Sequence, residues 1–257
     1  MSDILLDRDG GIATVTLFSP GKLNAIDAAM WRRLAVVMAE LDADADLRAI
    51  VIRGEGTAFA AGGDLDEFRH ERATVDKALD YHEAVGAALK AVETCRHPTV
   101  ALILGPCVGG GLEIACACDL RIAGESARLG APINKLGFSI YPGELAGLLK
   151  LAGQAVTNEI LLEGRLLTAK EAYEKGLLTR VVPDKTVESE AYATARRIAD
   201  GAPLAARAHK QWIARLLDGR PLTEDEKRAS FAFLDSEDYA EGLDAFAAKR
   251  RPVFKGR

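Results

Sequence analysis

Two glycine-rich turns, each following an apolar segment, constrain the fold of this chain more than any other feature. The first turn is FAAGGDL at residues 59–65, after the apolar residues 49–53, and the second is GPCVGGGLE at residues 105–113, after residues 99–104. Both apolar segments have the length and composition of buried strands, and each turn leads into a predicted helix. Glycine at a turn admits positive φ and lets a ligand approach the main chain closely. The pattern predicts an α/β protein with ligand-facing backbone at two turns.

Acidic side chains accompany both turns. Asp64 follows the first glycine pair, and Glu113 follows the second glycine run. Two converging backbone N–H groups can hold a carbonyl oxygen as it gains negative charge, and Glu113 lies where a proton carrier is needed. The alternative interpretation of Glu113 is a structural acid at a helix N-terminus. Together the turns and acids indicate an enzyme that stabilises an enolate-like oxyanion.

The composition is that of a globular protein with a sizeable core. Among 257 residues, 49% are apolar and 28% are charged, and the formal net charge is −5. This acidic balance argues against nucleic acid as a ligand, because phosphate binding favours a basic surface. Residues 1–3 lack the features of a secretory signal, and no apolar run approaches the ~20 residues of a membrane span. We therefore expect a cytoplasmic protein with no membrane partner.

Neither the cysteines nor the histidines form a pattern that predicts a metal site. Cys116 and Cys118 are separated by one residue, and no second pair follows them. All four cysteines are predicted to pack as small apolar residues of a reduced protein: Cys95, Cys107, Cys116 and Cys118. The histidines are predicted to lie at the surface, with His82 the one that could border the site: His70, His82, His97 and His209.

Hydrophobic periodicity predicts strands and helices up to about residue 130 and mainly helices afterwards. Predicted strands cover residues 4–8, 12–18, 49–53, 99–104, 120–123 and 177–182. Predicted helices cover residues 27–41, 75–95, 111–118, 141–151 and 156–163, a short helix after Thr168, and most of the chain from residue 186 onward. Capping boxes are predicted at Thr168 and Thr223.

Several short motifs occur in a fixed order along nearly the whole chain. They are KLNA at 22–25, AGGD at 61–64, GGGLE at 109–113 running on to CDLR at 118–121, GRLLTA at 164–169, SED at 236–238 and FKG at 254–256. Each motif is short, but their order and spacing together are specific. On these residues the chain resembles the crotonase family, the enoyl-CoA hydratases and isomerases.

This resemblance implies an α/β fold built as a crotonase-like spiral of β-β-α turns over residues 1–197. It implies a C-terminal helical region at residues 198–257 that assembles homotrimers, often paired into hexamers. The implied ligand is an acyl-CoA thioester. Because coenzyme A is then part of the substrate, no separate cofactor and no metal is expected.

Site residues are implied by position in the same motifs. Gly63 and Gly110 would donate the two backbone N–H groups of an oxyanion hole, and Glu113 would match the first catalytic glutamate. Six residues are expected along or near coenzyme A: Lys22, Ala25, Ala61, Asp64, Phe254 and Lys255. Of these, Phe254 and Lys255 would reach the nucleotide of a neighbouring subunit. Asp64 is interpreted mainly as a residue that caps and orients its turn.

The segment from residue 130 to residue 144 departs from the family pattern. Hydratases of this family carry a second glutamate at the position of Ile133, and a lone Glu113 suits double-bond isomerisation better than hydration. Glu144 lies close to positions where some relatives place a catalytic acid and is the candidate replacement. Its alternative interpretation is an acid in the first turn of a helix, favoured by the helix dipole.

Three functions stay open at this point. The first is an enoyl-CoA hydratase or isomerase in which Glu113 moves protons while Gly63 and Gly110 hold the thioester oxygen. The second is other enolate chemistry, such as decarboxylation of a malonyl-type thioester. The third is a catalytically weak relative that binds acyl-CoA or RNA, and the acidic balance of the chain argues against the RNA version.

Overall fold

Two β-sheets form the framework of residues 2–257, which the computed structural model describes. The strands are β1 Asp3–Asp9, β2 Ile12–Phe18, β3 Ala49–Gly54, β4 Thr99–Ile103, β5 Pro106–Val108, β6 Leu120–Gly124, β7 Arg128–Gly130, β8 Leu167–Thr168 and β9 Arg180–Val182. The larger sheet has the order β1-β2-β3-β4-β6-β9, and the smaller has the order β5-β7-β8. In the larger sheet only β1 and β2 are antiparallel, and the other pairs are parallel.

Residues 2–257 contain ten α-helices. They are α1 Ala28–Ala43, α2 Leu65–Glu71, α3 Val75–Thr94, α4 Gly110–Ala117, α5 Pro142–Asn158, α6 Ala169–Glu174, α7 Asp184–Ala199, α8 Pro203–Leu216, α9 Glu224–Ala229 and α10 Glu237–Ala247. Asp27 caps α1 by accepting a hydrogen bond from the Met30 N–H. The capping boxes predicted at Thr168 and Thr223 are both formed.

The larger sheet is covered on both faces, which explains why its central strands are apolar without alternation. On β3, Ile50 and Ile52 pack into the main core together with α1, α3 and α4, whereas Val51 points to the opposite face. There it joins a second core, whose helical side is Val187 and Ala191 of α7. The predicted α/β class is confirmed, and residues 49–53 and 99–104 are buried strands within one residue of their predicted ends.

Three segments differ from the sequence-based prediction. The last strand is Arg180–Val182 and not 177–182, because the Leu177 N–H bonds to the Ala172 carbonyl and closes the end of α6. Residues 142–163 are helical with a break at Gly153, where φ is +73°, which falls between the two predicted helices; the second helix differs from the prediction in ending as a π-helical segment, Glu159–Glu163. The second glycine turn contains the short strand β5.

The prediction that the histidines other than His82 lie at the surface is wrong for His97. His97 is fully buried in the connection from α3 to β4, and burial, with a smaller contribution from nearby arginines, lowers its pKa to about 4. Nothing in its local sequence distinguishes it from an exposed residue, because contacts such as that of Lys210, which donates to the His97 carbonyl at 3.3 Å, come from a distant part of the chain. The cysteines follow the prediction, since three are buried, one is half-buried and none is paired.

The C-terminal helices expose large apolar side chains at a higher density than the rest of the described residues. On α8 to α10 and their connections these are Ile213, Leu216, Leu217, Phe231, Phe233, Leu234, Leu243 and Phe246. Exposed apolar surface of this extent is typical of an interaction face. The division at residue 197 and the assembly of trimers stay predictions. No helix within residues 2–257 combines the length and apolar character needed to cross a membrane.

Candidate active site

Main-chain pairing brings the two glycine turns side by side. Ala60 and Cys107 form an isolated parallel bridge, and the Val108 N–H donates to the Ala60 carbonyl at 3.0 Å. The first turn is also held from its other side, because Gly63 bridges to Ile26 just before α1. Two turns that are distant in sequence are thereby fixed next to each other by backbone hydrogen bonds.

Glycine is required at these turns by backbone conformation and by lack of space. Gly62 has φ of +110° and Gly109 has φ of +51°, which side chains rarely tolerate. A Cβ on Gly110 would lie 2.7 Å from Trp31 Cζ2 and 3.8 Å from the amide nitrogen of Gly63. The amides of Gly63 and Gly110 thus lie close together, and neither N–H is paired with an acceptor in residues 2–257.

A cavity of about 220 Å³ opens against these amides. One side is the backbone wall, which we define as residues 61–63 and 108–110. The other is the side-chain wall, which we define as Phe68, Arg72, Tyr81, His82, Phe138 and Tyr141. The two walls are connected through Trp31, whose indole N–H donates to the Tyr81 hydroxyl at 3.2 Å. The cavity is lined mainly by apolar and aromatic residues, with a few polar groups among them, as is usual for ligand sites.

Glu113 lies in the first turn of α4 and borders the cavity. Burial, followed by the negative charge of Glu144, raises the pKa of Glu113 to about 8, and the positive charge of Arg72 opposes this rise. At neutral pH the protonated form of Glu113 therefore predominates, and it can donate a proton into the cavity.

Glu144 lines the same cavity from the first turn of α5 and is only 7% exposed. Its Oε1 lies 2.5 Å from Nδ1 of His82, and the His82 ring stacks on Tyr141 with centroids 4.7 Å apart. This placement is compatible with a first-turn acid and with a catalytic group, so the role of Glu144 stays a prediction. Ile133, where the family resemblance predicts the second hydratase glutamate to be replaced, also lines the cavity.

Four of the residues expected near coenzyme A lie at or beside the backbone wall. Ala61 lines the cavity, and Ala25 is buried in the segment that precedes α1. Lys22 contacts Asp64 and Asp66, both at 2.7 Å, and these hydrogen bonds raise the pKa of the lysine. Asp64 caps α2 by accepting from the Asp66 N–H, as its sequence position predicts.

Phe254 and Lys255 are not brought to the cavity within this chain. Phe254 lies against α10, 3.7 Å from where a Cβ on Gly242 would stand. The Lys255 backbone N–H donates to Asp238 at 2.6 Å, and its side chain is exposed. A role for these two residues at a neighbouring subunit's nucleotide stays a prediction.

Sequence reasoning missed most of the side-chain wall. Phe68 and Arg72 end a short helix, Tyr81 begins the buried face of α3, and Phe138 lies in an irregular segment. No common periodicity connects these positions, so no local pattern could have identified them as one surface. Among residues 2–257 no three or more His, Cys, Asp or Glu side chains cluster as a metal site would require.

Comparison with known proteins gives a consistent result over the whole chain. The family model described as enoyl-CoA hydratase/isomerase matches residues 7–257. A probable enoyl-CoA hydratase of Mycobacterium bovis is 36% identical, covering 99% of this chain and 98% of that protein. A 2,3-dehydroadipyl-CoA hydratase of Escherichia coli is 30% identical over the full length of both.

A solved structure of similar fold agrees. It is an enoyl-CoA hydratase/carnitine racemase of Magnetospirillum magneticum, with a TM-score of 0.97 and 48% identity, covering 99% of this chain and 96% of that one. The crotonase-like fold expected from the sequence motifs is confirmed by this match. The chain belongs to the enoyl-CoA hydratase/isomerase family.

Proposed function

We propose that this enzyme hydrates a 2-enoyl-CoA through a thioester enolate held by the amides of Gly63 and Gly110. The observation that carries this proposal is the close approach of two unpaired backbone amides beside two carboxylates, Glu113 and Glu144, on one cavity. The enoyl-CoA hydratases among the relatives support the same reaction class.

In this mechanism the backbone wall stabilises charge. The thioester oxygen accepts hydrogen bonds from the Gly63 and Gly110 amides, which strengthen as the oxygen becomes an enolate oxygen. Removal of one donor of this kind costs about 2.7–4 kcal/mol of barrier stabilisation in other enzymes. Because the backbone is fixed by the bridges at Ile26 and Ala60, the amides need no reorganisation during the reaction.

The two carboxylates divide the proton transfers. The Glu144 carboxylate, oriented by His82, takes a proton from water while the water oxygen bonds to Cβ. Glu113, protonated at neutral pH because its pKa is raised, gives its proton to Cα. The sum adds H and OH across the double bond and leaves Glu144 protonated and Glu113 ionised. Transfer of the proton from Glu144 to Glu113 then restores the starting state. Two carboxylates in different environments are suited to this division of roles.

A second candidate reaction is isomerisation of a 3-enoyl-CoA to a 2-enoyl-CoA. Ile133 favours it, because an apolar side chain lines the cavity where the family's hydratases carry their second glutamate. In that reaction Glu113 alone would remove a proton from one carbon of the enolate system and return it to another. Glu144 would then serve only as an acid of the first turn of α5.

We also propose where coenzyme A binds and how the subunits assemble. Coenzyme A enters as part of the substrate past Lys22, Ala25, Ala61 and Asp64, and no separate cofactor or metal takes part. The exposed apolar residues of α8 to α10 support a homotrimer or a dimer of trimers, in which Phe254 and Lys255 would reach a neighbour's nucleotide.

A panel assay tests the choice of reaction. Purified protein is mixed with crotonyl-CoA, a 3-enoyl-CoA and a methylmalonyl-type thioester, and conjugated-thioester absorbance and CO₂ release are followed. Hydration predicts loss of the crotonyl-CoA signal, and it predicts that Glu144→Gln and Glu113→Gln each reduce turnover. If only the 3-enoyl-CoA is converted, and Glu144→Gln does not change that activity, the assigned reaction is isomerisation and not hydration. CO₂ release alone would replace both by decarboxylation.

A further inference from the structure

Arg72 is the one positively charged side chain on the side-chain wall whose charge the proposed reaction does not use. It follows α2, and its guanidinium lies over the Phe68 ring, with Cζ 3.7 Å from the ring centroid. The rings of Tyr81 and Phe138 lie at 4.8 and 5.2 Å. Aromatic faces attract and orient a guanidinium, but they do not neutralise its charge.

Hydrogen-bonding capacity of Arg72 is left unused within the chain. Its Nε is buried and has no hydrogen-bond partner among residues 2–257. Arg72 forms no ion pair within residues 2–257: Glu144 pairs with His82, and Glu113, whose raised pKa the Arg72 charge opposes, is held in its protonated form mainly by burial. A guanidinium presents five N–H donors in a planar fork that matches a carboxylate. Leaving such a group without an anion in an aromatic cavity is costly, which makes it a strong binding element when an anion arrives.

The location of Arg72 fixes where that anion would be. The same Phe68 ring that carries the guanidinium on its face approaches the backbone wall at its edge, since a Cβ on Gly63 would lie 2.8 Å from Phe68 Cζ. The guanidinium is therefore separated from the Gly63 amide by about one aromatic ring. A group bound to both would have its anionic end only a few carbons from the thioester.

We propose that the acyl group of the preferred substrate is short and ends in a carboxylate that pairs with Arg72. This inference rests on the proposed function only in assigning the cavity to the acyl part of a CoA thioester. A cavity of about 220 Å³ is smaller than the ~300–1,000 Å³ of sites for drug-sized ligands, which agrees with a short acyl chain. The raised pKa of Glu113 also helps, because a protonated neighbour does not repel the incoming carboxylate.

Binding of two saturated thioesters of equal length provides the test. Glutaryl-CoA ends in a carboxylate and valeryl-CoA ends in a methyl group, and neither carries the double bond needed for turnover. We expect the full-length protein to bind glutaryl-CoA about 10- to 100-fold more tightly in isothermal titration calorimetry, the range given by one charge-assisted hydrogen-bonded pair. The proposal is overturned if valeryl-CoA binds as tightly as glutaryl-CoA.

Variants assign the preference to one residue. Arg72→Met keeps the aliphatic stem and should abolish the preference, whereas Arg72→Lys keeps the charge without the fork and should retain part of it. Arg69→Met, at an exposed arginine of the same helix, is the matched control and should leave both affinities unchanged. If Arg72→Met lowers binding of the two thioesters equally, Arg72 supports the cavity and does not read the acyl end. If Arg72→Met does not fold, the proposal is tested by the ratio of the glutaryl-CoA and valeryl-CoA affinities in the wild type and by the decrease of that ratio in Arg72→Lys.

The outcome is distinguishable from that of the proposed function. A preference for glutaryl-CoA without turnover of any enoyl-CoA would support the carboxylate site and contradict the hydratase assignment. Turnover of crotonyl-CoA with equal affinities for glutaryl-CoA and valeryl-CoA would support the hydratase assignment and contradict the carboxylate site.

Discussion

The two walls of the cavity are constructed on different principles. The backbone wall consists of main-chain amides fixed by glycine geometry and by bridges to neighbouring strands. The side-chain wall consists of aromatic and charged groups from α2, α3 and the irregular segment before α5. We infer that the backbone wall provides the chemistry common to the family and that the side-chain wall determines which acyl group is used. Substitutions on the two walls should therefore have different signatures.

Replacement of Glu113, the proposed proton carrier beside the backbone wall, should give the largest effect. Glu113→Gln keeps the shape of the side chain but cannot donate or accept the transferred proton. Turnover should fall by about 10²- to 10⁴-fold, the usual contribution of a general acid or base, while acyl-CoA affinity changes little. Steady-state kinetics measures both quantities. Glu83→Gln, an exposed glutamate on α3, is the control, and unchanged turnover in Glu113→Gln would exclude the assignment.

A methyl group on the backbone wall should have the next largest effect. In Gly110→Ala the new Cβ would lie 2.7 Å from Trp31 Cζ2, so the turn must shift and its amide with it. Turnover should fall by about 10²- to 10³-fold, as when an oxyanion donor is lost. Gly86→Ala, at a helical glycine with open space around it, should be harmless. Full activity of Gly110→Ala would mean that its amide is not a donor in the reaction.

The buried acid should also produce a pH-dependent stability. Glu113 has a folded-state pKa of about 8 against an ordinary value of 4.5. The stability that depends on a protonated Glu113 is therefore fully present below about pH 4.5, and it is lost as the pH rises to 8. The free energy of unfolding of the wild type, relative to Glu113→Gln, should fall by up to about 1.4 kcal/mol per pH unit in this window. Urea titrations at pH 5.5, 6.5 and 7.5 would measure it, and a constant difference would contradict the raised pKa.

The smallest expected effect concerns the junction between the walls. Asp64 caps α2, the helix that carries Phe68 and precedes Arg72, and both Asp64 and Asp66 bind Lys22. Asp64→Ala should destabilise the protein by about 1 kcal/mol through loss of the cap. Asp66→Ala loses only the exposed ion pair and should be close to neutral. Thermal denaturation compares the two variants, and equal melting temperatures would show that the cap contributes nothing.

The contrast between the walls also explains what could be predicted from sequence. The two glycine turns were predictable because positive φ at Gly62 and Gly109 and the lack of space beside Gly110 require glycine, which is visible in the sequence. The place of Arg72 and Tyr81 in the cavity was not predictable, because neither residue is unusual in its local sequence. Their proximity depends on how α2 and α3 pack together. His97 was misassigned for the same reason, because its burial is determined by a part of the chain distant in sequence.

The strands of the sheets were likewise predictable only where they leave a local signal in the sequence. The central strands β3 and β4 are apolar on both faces and were visible as continuous runs. The short strands β5, β7 and β8 contain two or three residues each, which is too few for a periodic signal. Glu144 is an intermediate case. Its position in a first turn was predicted, whereas its contact with His82 depends on the packing of α5 against α3.

The central claim is that two amides from remote turns bind one thioester oxygen. A crystal structure of the protein with a saturated, unreactive acyl-CoA tests it directly. The account predicts that the thioester oxygen lies about 2.7–3.1 Å from both the Gly63 and the Gly110 nitrogens. A well-ordered thioester whose oxygen contacts neither nitrogen, or only one of them, would contradict it.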